Sequence, residues 1–410
     1  MISFEGAWQV LLPPEPGLHY LRSDRAGELT LEPGGLSAED GRIVSLEPSS
    51  TAGLRVDASS CALLPGLVDC HTHLPFAGWR AGEYEQKVRG VPYEEISRTG
   101  GGIAASAKSL RETPDDLVLA QARGLASEML QAGTTTFECK SGYGLSREGE
   151  LRSLALATAL GETVEQQITC TALLAHAVPP GYTADSWMDE VEAMAPDALD
   201  YASALDIFVE SLAFGTRHLE RLGALAIGAG VALRAHVEQL STMRSVPVAL
   251  AHGARSLDHL SRIHPDDIGP LAASQCAAVL LPGAEFIGAE KRAPARELIE
   301  AGAIVVLATD ANPGTSPIFS LPLILGLAVR RYGLSTPEAL LAVTLNAAYV
   351  LGLATELGSI EVGKRADLVL LDRPAEHVAY RFGHNPVAAA LVSGDPVYVR
   401  PDAAWRIRRR

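Results

Sequence analysis

The chain has 410 residues, of which 47% are hydrophobic and 20% are charged, and this composition is ordinary for a globular protein with a large core. The length predicts one large domain together with a smaller one. The formal net charge of -15 argues against nucleic-acid binding, because a surface that binds nucleic acid has to be basic.

Cysteines and the amino-terminal residues indicate where the protein works. Five cysteines without a CxxC pair favour reduced, buried thiols of a cytoplasmic protein. Residues 1–14 lack the basic and then apolar build of a signal peptide. No apolar run approaches the roughly 20 residues of a membrane span. We therefore expect a cytoplasmic protein without a membrane partner.

Both ends of the chain have the character of short strands. Residues 1–62 are rich in Gly, Pro and Ser and contain alternating segments such as 41–46, a pattern typical of strands joined by turns. Residues 366–372 and 388–400 have the same character. The sequence predicts that residues 1–62 and 355–410 pair into one small β-sandwich domain.

Residues 63–354 alternate apolar, strand-like runs with Ala- and Leu-rich stretches of helical periodicity, such as 115–132. Apolar strands joined by helices predict a parallel sheet covered on both faces. Eight such runs within about 280 residues predict an α/β fold, the closed (β/α)8 TIM barrel. The sixth run is weak and is counted because its neighbours require it. The runs are 63–69, 134–139, 168–174, 205–209, 231–235, 256–257, 277–281 and 304–308.

Polar side chains follow four of these runs at their C-terminal ends, where barrel enzymes carry their catalytic groups. The first run leads to His71 and His73, which share one face of a strand because they are two residues apart. The fifth ends in His236, the sixth leads to His259, and the eighth ends in Asp310. Each residue alone is more often structural, but together they predict a metal site.

The ligand set predicts the kind of metal centre. His71, His73, His236 and Asp310 would give one ion three nitrogens and one oxygen, with room for a water molecule. This set suits a divalent or trivalent ion, zinc or iron. The fourth run leads to Glu210 and offers no lysine for a carbamate bridge, which favours one metal ion over two.

These residues resemble the amidohydrolase superfamily, and over nearly its whole length the chain is similar to the imidazolonepropionase family within it. The strand-one motif is shared by many deaminases, whereas segments 140–145 and 175–180 are more selective. The resemblance implies hydrolysis of 4-imidazolone-5-propanoate to N-formimidoyl-L-glutamate in histidine degradation. Further segments that carry it are 71–80, 99–103, 280–283, 308–315 and 358–368.

The resemblance also implies the residues that bind the substrate, a small anionic heterocycle. Arg80, Tyr93, Tyr143 and His176 would line the pocket, and Thr315 would add a hydroxyl donor. Arg80 is the best partner for the propanoate because its guanidinium is a planar fork. Relatives in this family also suggest a homodimer.

Four residues are the candidates for catalysis. Asp310 would take a proton from water and pass it to the leaving nitrogen, and His259 would stabilise the developing oxyanion or serve as a further metal ligand. Gln239 stands three residues after His236, where many relatives carry Glu. Glutamine orients a ring by hydrogen bonds but is no base, so Glu238 is the alternative.

Two other functions remain open at this point. A different cyclic amide or amidine, as in a guanine-type heterocycle deaminase, would need Arg80 less, because purines lack a carboxylate. A non-catalytic metal-binding barrel is the other alternative. A scaffold has no need of an open metal position, which argues against it.

Overall fold

A computed structural model describes residues 1–288 and 291–409 and contains two sheets. The strands are β1 (Ile2–Leu12), β2 (Thr30–Glu39), β3 (Arg42–Ser45), β4 (Leu54–Asp57), β5 (Ala62–Pro65), β6 (Leu67–Asp69), β7 (Thr134–Lys140), β8 (Gln167–Ala175), β9 (Ala204–Val209), β10 (Ala232–Val237), β11 (Ser256–His259), β12 (Ala277–Leu280), β13 (Ile304–Leu307), β14 (Leu368–Leu371), β15 (Val387–Val392), β16 (Asp395–Val399) and β17 (Ile407–Arg409).

The helices lie mainly between the strands of the larger domain. They are α1 (Ala81–Val88), α2 (Tyr93–Arg98), α3 (Ile103–Glu112), α4 (Asp115–Gln131), α5 (Arg147–Gly161), α6 (Ala184–Ala198), α7 (Thr216–Ala229), α8 (Ser245–Ala251), α9 (Pro265–Ala273), α10 (Pro282–Gly288), α11 (Ala295–Glu300), α12 (Leu321–Tyr332), α13 (Thr336–Ala342), α14 (Leu345–Val350) and α15 (His377–Tyr380). Two short 3-10 helices span Ser23–Glu28 and Pro401–Arg406.

Strands β6 to β13 form a parallel sheet in which each strand pairs with the next one along the chain. An isolated bridge between Thr72 and Ala311 joins the ends of the first and last strands, so the sheet is nearly closed into a barrel. The prediction of a (β/α)8 barrel is confirmed, including its weak sixth strand, which is β11.

The outer helices cover the barrel because their apolar residues recur with helical spacing. In α4, for example, Val118, Ala122, Leu125 and Met129 are buried, and they recur at intervals of three or four residues. The helix α5 begins where the side chain of Ser146 accepts a hydrogen bond from the backbone of Gly149.

The second sheet takes its strands from both ends of the chain. Its order is β16-β15-β14-β5-β1-β2-β3, with β4 beside β1 and β17 beside β4. Most neighbours are antiparallel, but β1 is parallel to β4 and β5. Phe4, Leu36, Val56, Leu368 and Leu391 belong to an apolar core of its own. The prediction that both termini build a sheet separate from the barrel is confirmed.

The chain crosses from this sheet to the barrel at Gly66. The preceding strand β5 pairs with β14 and β1, and the following strand β6 pairs with β7. A Cβ at Gly66 would overlap the side chain of Thr135, so the crossing requires glycine. Within the described part of the chain, no helix is long and apolar enough to cross a membrane.

Candidate active site

The structure brings the predicted metal ligands together at the C-terminal end of the barrel. One nitrogen from each of His71, His73 and His236 lies within 4.8 Å of the others, and all three side chains are buried. Oδ1 of Asp310 lies 3.4 Å from Nε2 of His71 and 3.2 Å from Nε2 of His73. Four side chains from three distant strand ends therefore share one small volume.

Two of the imidazoles have one nitrogen bonded and the other free. Nδ1 of His71 lies 2.6 Å from Asp258, and Nδ1 of His236 lies 3.1 Å from Asp206. Among the described residues, Nε2 of each ring is buried without a well-formed hydrogen bond, and Nε2 of His71 has Asp310 beside it at 3.4 Å. An unpaired buried nitrogen costs free energy unless a ligand binds it. A ring bonded to a carboxylate through its other nitrogen is the usual arrangement of a metal-ligating histidine. This donor set fits one metal ion.

Burial and neighbouring charges shift the pKa values of several groups in this cluster. Burial alone would raise the pKa of Asp258, but the Arg234 guanidinium and the hydrogen bond with His71 hold it below its ordinary value. Burial lowers the pKa of His73 to about 4 and that of His259 to about 3. Both rings are therefore neutral at pH 7, and neutral imidazole is the form that binds metal.

The backbone turns sharply at the strand ends that carry these groups. Glu238, His259, Leu260 and Asp310 all have positive φ, at 55°, 80°, 60° and 54°. Residues other than glycine adopt this conformation rarely and tend to do so at functional sites. At His259 and Asp310 the turn places the side chain at the mouth of the barrel instead of continuing the strand.

A pocket lies over the predicted metal ligands. It contains all five residues predicted to bind substrate, together with His259, Gln239 and Asp310. Glu238 is not among the described residues that line the pocket. The Glu238 carboxylate instead accepts hydrogen bonds from the backbone of Met243 and Ser245, at 2.9 and 2.7 Å. The lining residues are His73, Arg80, Tyr93, Ile103, Tyr143, His176, Phe208, His236, Gln239, His259, Asp310, Asn312 and Thr315.

The guanidinium of Arg80 is held in the wall of this pocket. Its Nη1 donates to the hydroxyl of Ser106 at 3.0 Å, and its Nε lies 3.3 Å from Glu83. A Cβ at Gly314 would overlap the guanidinium, so the lack of a side chain at position 314 leaves the guanidinium the room that it occupies. Arg80 is therefore a fixed cation that faces the pocket from a buried position.

The loop that carries Tyr143 is anchored by a carboxylate that the sequence analysis missed. Glu150 is fully buried and accepts hydrogen bonds from the backbone of Gly142, Gly144 and Leu145, at 2.7, 2.8 and 2.9 Å. In turn, the backbone oxygen of Gly142 lies 2.9 Å from Nδ1 of His176. The sequence shows Glu150 only as one of two acidic residues in the first turn of α5, which does not reveal its backbone partners.

Two further anchors hold the other loops of the pocket. The carboxylate of Glu210 accepts hydrogen bonds from the backbone of Gln239 and Leu240, at 3.0 and 2.8 Å. The side-chain oxygen of Asn312 accepts from the backbone of Gly314 and Thr315, at 2.9 and 2.7 Å. From the sequence, Glu210 is a candidate only in connection with a second metal ion, and Asn312 is not singled out.

Comparison with known proteins gives the class to which this site belongs. Residues 62–397 match the sequence model of the amidohydrolase family. The chain therefore belongs to the amidohydrolase family.

Solved structures share the fold. A zinc-bound adenosine deaminase from Xanthomonas campestris has a TM-score of 0.69 at 20% identity and covers 97% of this chain and 93% of its own. The zinc complex of the atrazine chlorohydrolase TrzN from Arthrobacter aurescens has a TM-score of 0.73 at 19% identity, covering 98% of both chains.

Sequence relatives narrow the assignment. The chain is 44% identical over 357 residues to the imidazolonepropionase of Rubrobacter xylanophilus, which covers 86% of each chain. It is 40% identical over 374 residues to that of Sphingopyxis alaskensis, covering 89% of this chain and 93% of the relative. Within the amidohydrolases, the chain belongs to the imidazolonepropionases, and the resemblance seen in its sequence is confirmed.

Proposed function

We propose that this chain hydrolyses 4-imidazolone-5-propanoate to N-formimidoyl-L-glutamate in histidine degradation. The relatives named imidazolonepropionase support this reaction. The observation that carries it is a pocket with a cluster of histidine nitrogens at its floor and one fixed cation, Arg80, in its wall. Such a pocket suits a substrate that is a small ring at one end and a carboxylate at the other.

Arg80 receives the propanoate group of the substrate. A buried guanidinium forms two parallel hydrogen bonds with a carboxylate, which sets both the position and the direction of the arm. Tyr143 lines the same pocket, and burial raises the pKa of its phenol, so the hydroxyl stays protonated and available as a donor. Tyr93, His176 and Thr315 complete the binding surface.

His71, His73, His236 and Asp310 would hold the metal ion, zinc or iron. When bound there, the ion would supply a Lewis acid for the ring carbonyl and would lower the pKa of a water molecule to about 7. The water oxygen bonds to the carbonyl carbon, and the bond from that carbon to the ring nitrogen breaks.

Two residues complete the reaction. Asp310 accepts the water proton and delivers it to the leaving nitrogen, because its carboxylate lies at the floor of the pocket. His259 is a neutral imidazole with one N–H, which it donates to the carbonyl oxygen as negative charge develops there.

Gln239, and not Glu238, contacts the substrate in this proposal. Gln239 lines the pocket, and its amide can both donate to and accept from the ring. Glu238 is occupied by the backbone donors of Met243 and Ser245, so it shapes the loop after β10. The proton therefore moves through Asp310 without help from a glutamate at position 238.

The test is a direct assay of the purified, metal-loaded protein. Loss of imidazolone absorbance should exceed the spontaneous rate, and N-formimidoyl-L-glutamate should accumulate in equal amount. No loss above the spontaneous rate with zinc or iron present would overturn the assignment. Release of ammonia from guanine or adenosine under the same conditions would favour a deaminase instead.

Arg80→Met gives the sharper version of this assay. We expect KM to rise by roughly tenfold to a hundredfold, because a charge-assisted pair contributes about 1.5–3 kcal/mol. The matched control is Arg89→Met, since Arg89 lies on the exposed side of the same region and pairs with Glu85. An unchanged KM in Arg80→Met would show that the carboxylate binds elsewhere.

We further propose a cytoplasmic enzyme that forms a homodimer. Five buried cysteine side chains support a reducing location. The homodimer follows from the family resemblance. Sedimentation of the purified protein at micromolar concentration should give twice the mass of the chain, and a monomer would overturn this part of the proposal.

A further inference from the structure

Below the metal ligands, the interior of the barrel contains five charged side chains that are at most 1% exposed. Glu138 and Lys140 are two residues apart on β7, and Arg234 is two residues before His236 on β10. Asp206 lies on β9 and Asp258 on β11. Residues two apart on a strand share a face, so this layer of charges lies directly beneath the histidines.

Asp206 joins a lysine to a metal ligand. Its Oδ2 accepts a hydrogen bond from Nζ of Lys140 at 2.6 Å, and its Oδ1 lies 3.1 Å from Nδ1 of His236. The carboxylate is thus held at both oxygens. Its position fixes which nitrogen of His236 is bonded and which is directed to the cluster.

Asp258 joins an arginine to a second predicted ligand, His71. Its Oδ2 lies 2.6 Å from Nδ1 of His71 and accepts a hydrogen bond from Nη2 of Arg234 at 2.9 Å. Its Oδ1 accepts from the hydroxyl of Ser256 at 2.7 Å. The same hydroxyl accepts from Nε of Arg234 at 2.9 Å, so the arginine holds this carboxylate both directly and through serine.

Glu138 links the two cations. It forms an ion pair with Nζ of Lys140 at 3.1 Å and another with Nη1 of Arg234. The hydroxyl of Thr171 also donates to it. The paths to His236 and to His71 therefore belong to one continuous network.

Stability alone does not explain this network. Taking five charges out of water is costly, and buried ion pairs are often no more stabilising than apolar side chains of the same volume. The interior of such a barrel is ordinarily filled with branched apolar residues. The carboxylates at the top of the network each hold a histidine that offers its other nitrogen to the metal.

We propose that Lys140 and Arg234 are positioning residues of the metal centre. They fix Asp206 and Asp258, which hold His236 and His71 so that Nε2 of each ring faces the ion. This inference rests on the metal centre of the proposed function, but it concerns binding of the ion and not the reaction. Outer partners of this kind typically change metal affinity by 10- to 100-fold.

The test compares three lysine or arginine variants by zinc affinity. Lys140→Met and Arg234→Met should each weaken zinc binding by roughly 10- to 100-fold, measured by competition with a chelating dye. The matched control is Lys364→Met. Lys364 is also buried and paired, with Glu361 at 3.0 Å and the backbone of Ala354 at 2.6 Å, but it lies outside the barrel interior.

All three variants remove a buried, paired cation and should lower the unfolding temperature. Only those at Lys140 and Arg234 should weaken zinc binding or change the visible spectrum of the cobalt-loaded protein. Equal zinc affinity in all three would overturn the proposal and leave the network a structural feature. The proposal would also be overturned if the wild-type chain bound neither zinc nor iron.

Ser256→Ala keeps the test decisive if the charge variants fail to fold. It removes one hydrogen bond to Asp258 and one from Arg234 without leaving a charge unpaired. We expect zinc affinity to fall by roughly two- to tenfold, and an unchanged affinity would overturn the proposal. Zinc binding is measured without substrate, so a chain that passes this test but does not hydrolyse imidazolone refutes only the proposed function.

Discussion

The inner face of the barrel carries Glu138 and Arg234 just below the metal ligands, whereas the core of the terminal sheet carries Phe4 and Leu368. Both regions are equally buried. In the terminal sheet, apolar burial stabilises the fold directly, while the barrel interior buries charges that are compensated by one another and by neighbouring hydroxyl and imidazole groups. The two regions show that burial alone does not determine whether a face of a sheet stabilises the fold or supports a functional site. In our proposal, the barrel interior serves the site and the terminal sheet serves stability.

Loss of a metal ligand should give the largest effect in the barrel. His236→Ala removes a ring whose Nε2 is buried and faces the other ligands. We expect both stoichiometric metal and turnover to be lost, as measured by elemental analysis and by imidazolone consumption. His252→Ala is the control, because His252 is only partly buried and bonds to the backbone of Val248. Retained metal in His236→Ala would contradict the role of His236 as a ligand.

A large cavity in the core of the terminal sheet should lower stability and leave metal binding unchanged. Phe4 is fully buried in the core of that sheet. We expect Phe4→Ala to lower the free energy of unfolding by about 3–5 kcal/mol, measured by urea denaturation. Zinc affinity and KM of the variant should equal those of the wild type at a temperature where both are folded. A parallel loss of zinc affinity would show that the two regions are coupled.

Much of the barrel could be predicted because its strands are apolar and its ligands stand at strand ends. Even the weak sixth strand could be predicted, because a closed barrel needs a strand between the fifth and the seventh.

The start of the barrel was harder to place. Residues 62–65 and 67–69 form one apolar run, yet the first part pairs with β1 and β14 and the second with β7. Hydrophobicity marks both parts as buried but does not say in which sheet.

The supports of the site could not be predicted in the same way. Asp206 is visible in the sequence as a charge within an apolar run and Asp258 as a charge directly after one, but their partners depend on the register of the closed barrel. Glu150 and Glu210 bond to backbone N–H groups, which leave no pattern in the side chains. The candidate ligands could be predicted to meet because strand ends converge in any barrel, whereas the contacts of the supports are particular to this one.

Removal of the metal should separate the two regions within one molecule. A metal ion at 100 times its dissociation constant stabilises the folded state by about 2.7 kcal/mol, so a chelator should lower the unfolding temperature. Hydrogen exchange should increase at the C-terminal ends of β6 and β10, which carry the ligands, while β14 and β15 stay protected. Equal increases in both sheets would contradict the division of roles.

Two glycine substitutions, one beside the pocket and one in the terminal sheet, should give the smallest and most local effects. In Gly314→Ala, the new Cβ meets the end of the flexible Arg80 side chain, so the guanidinium moves and the fold adapts. We expect KM to rise by roughly tenfold, the equivalent of about 1.4 kcal/mol, with little change in the unfolding temperature.

In Gly35→Ala, the new Cβ meets the backbone oxygen of Phe4 and lies 2.7 Å from Cγ of Pro48. Backbone in a packed sheet cannot move as a side chain does. We therefore expect a loss of about 1–3 kcal/mol in the free energy of unfolding, with KM unchanged. If Gly314→Ala instead lowers stability while KM stays the same, Arg80 acts as a packing residue of the pocket wall and the carboxylate of the substrate has another partner.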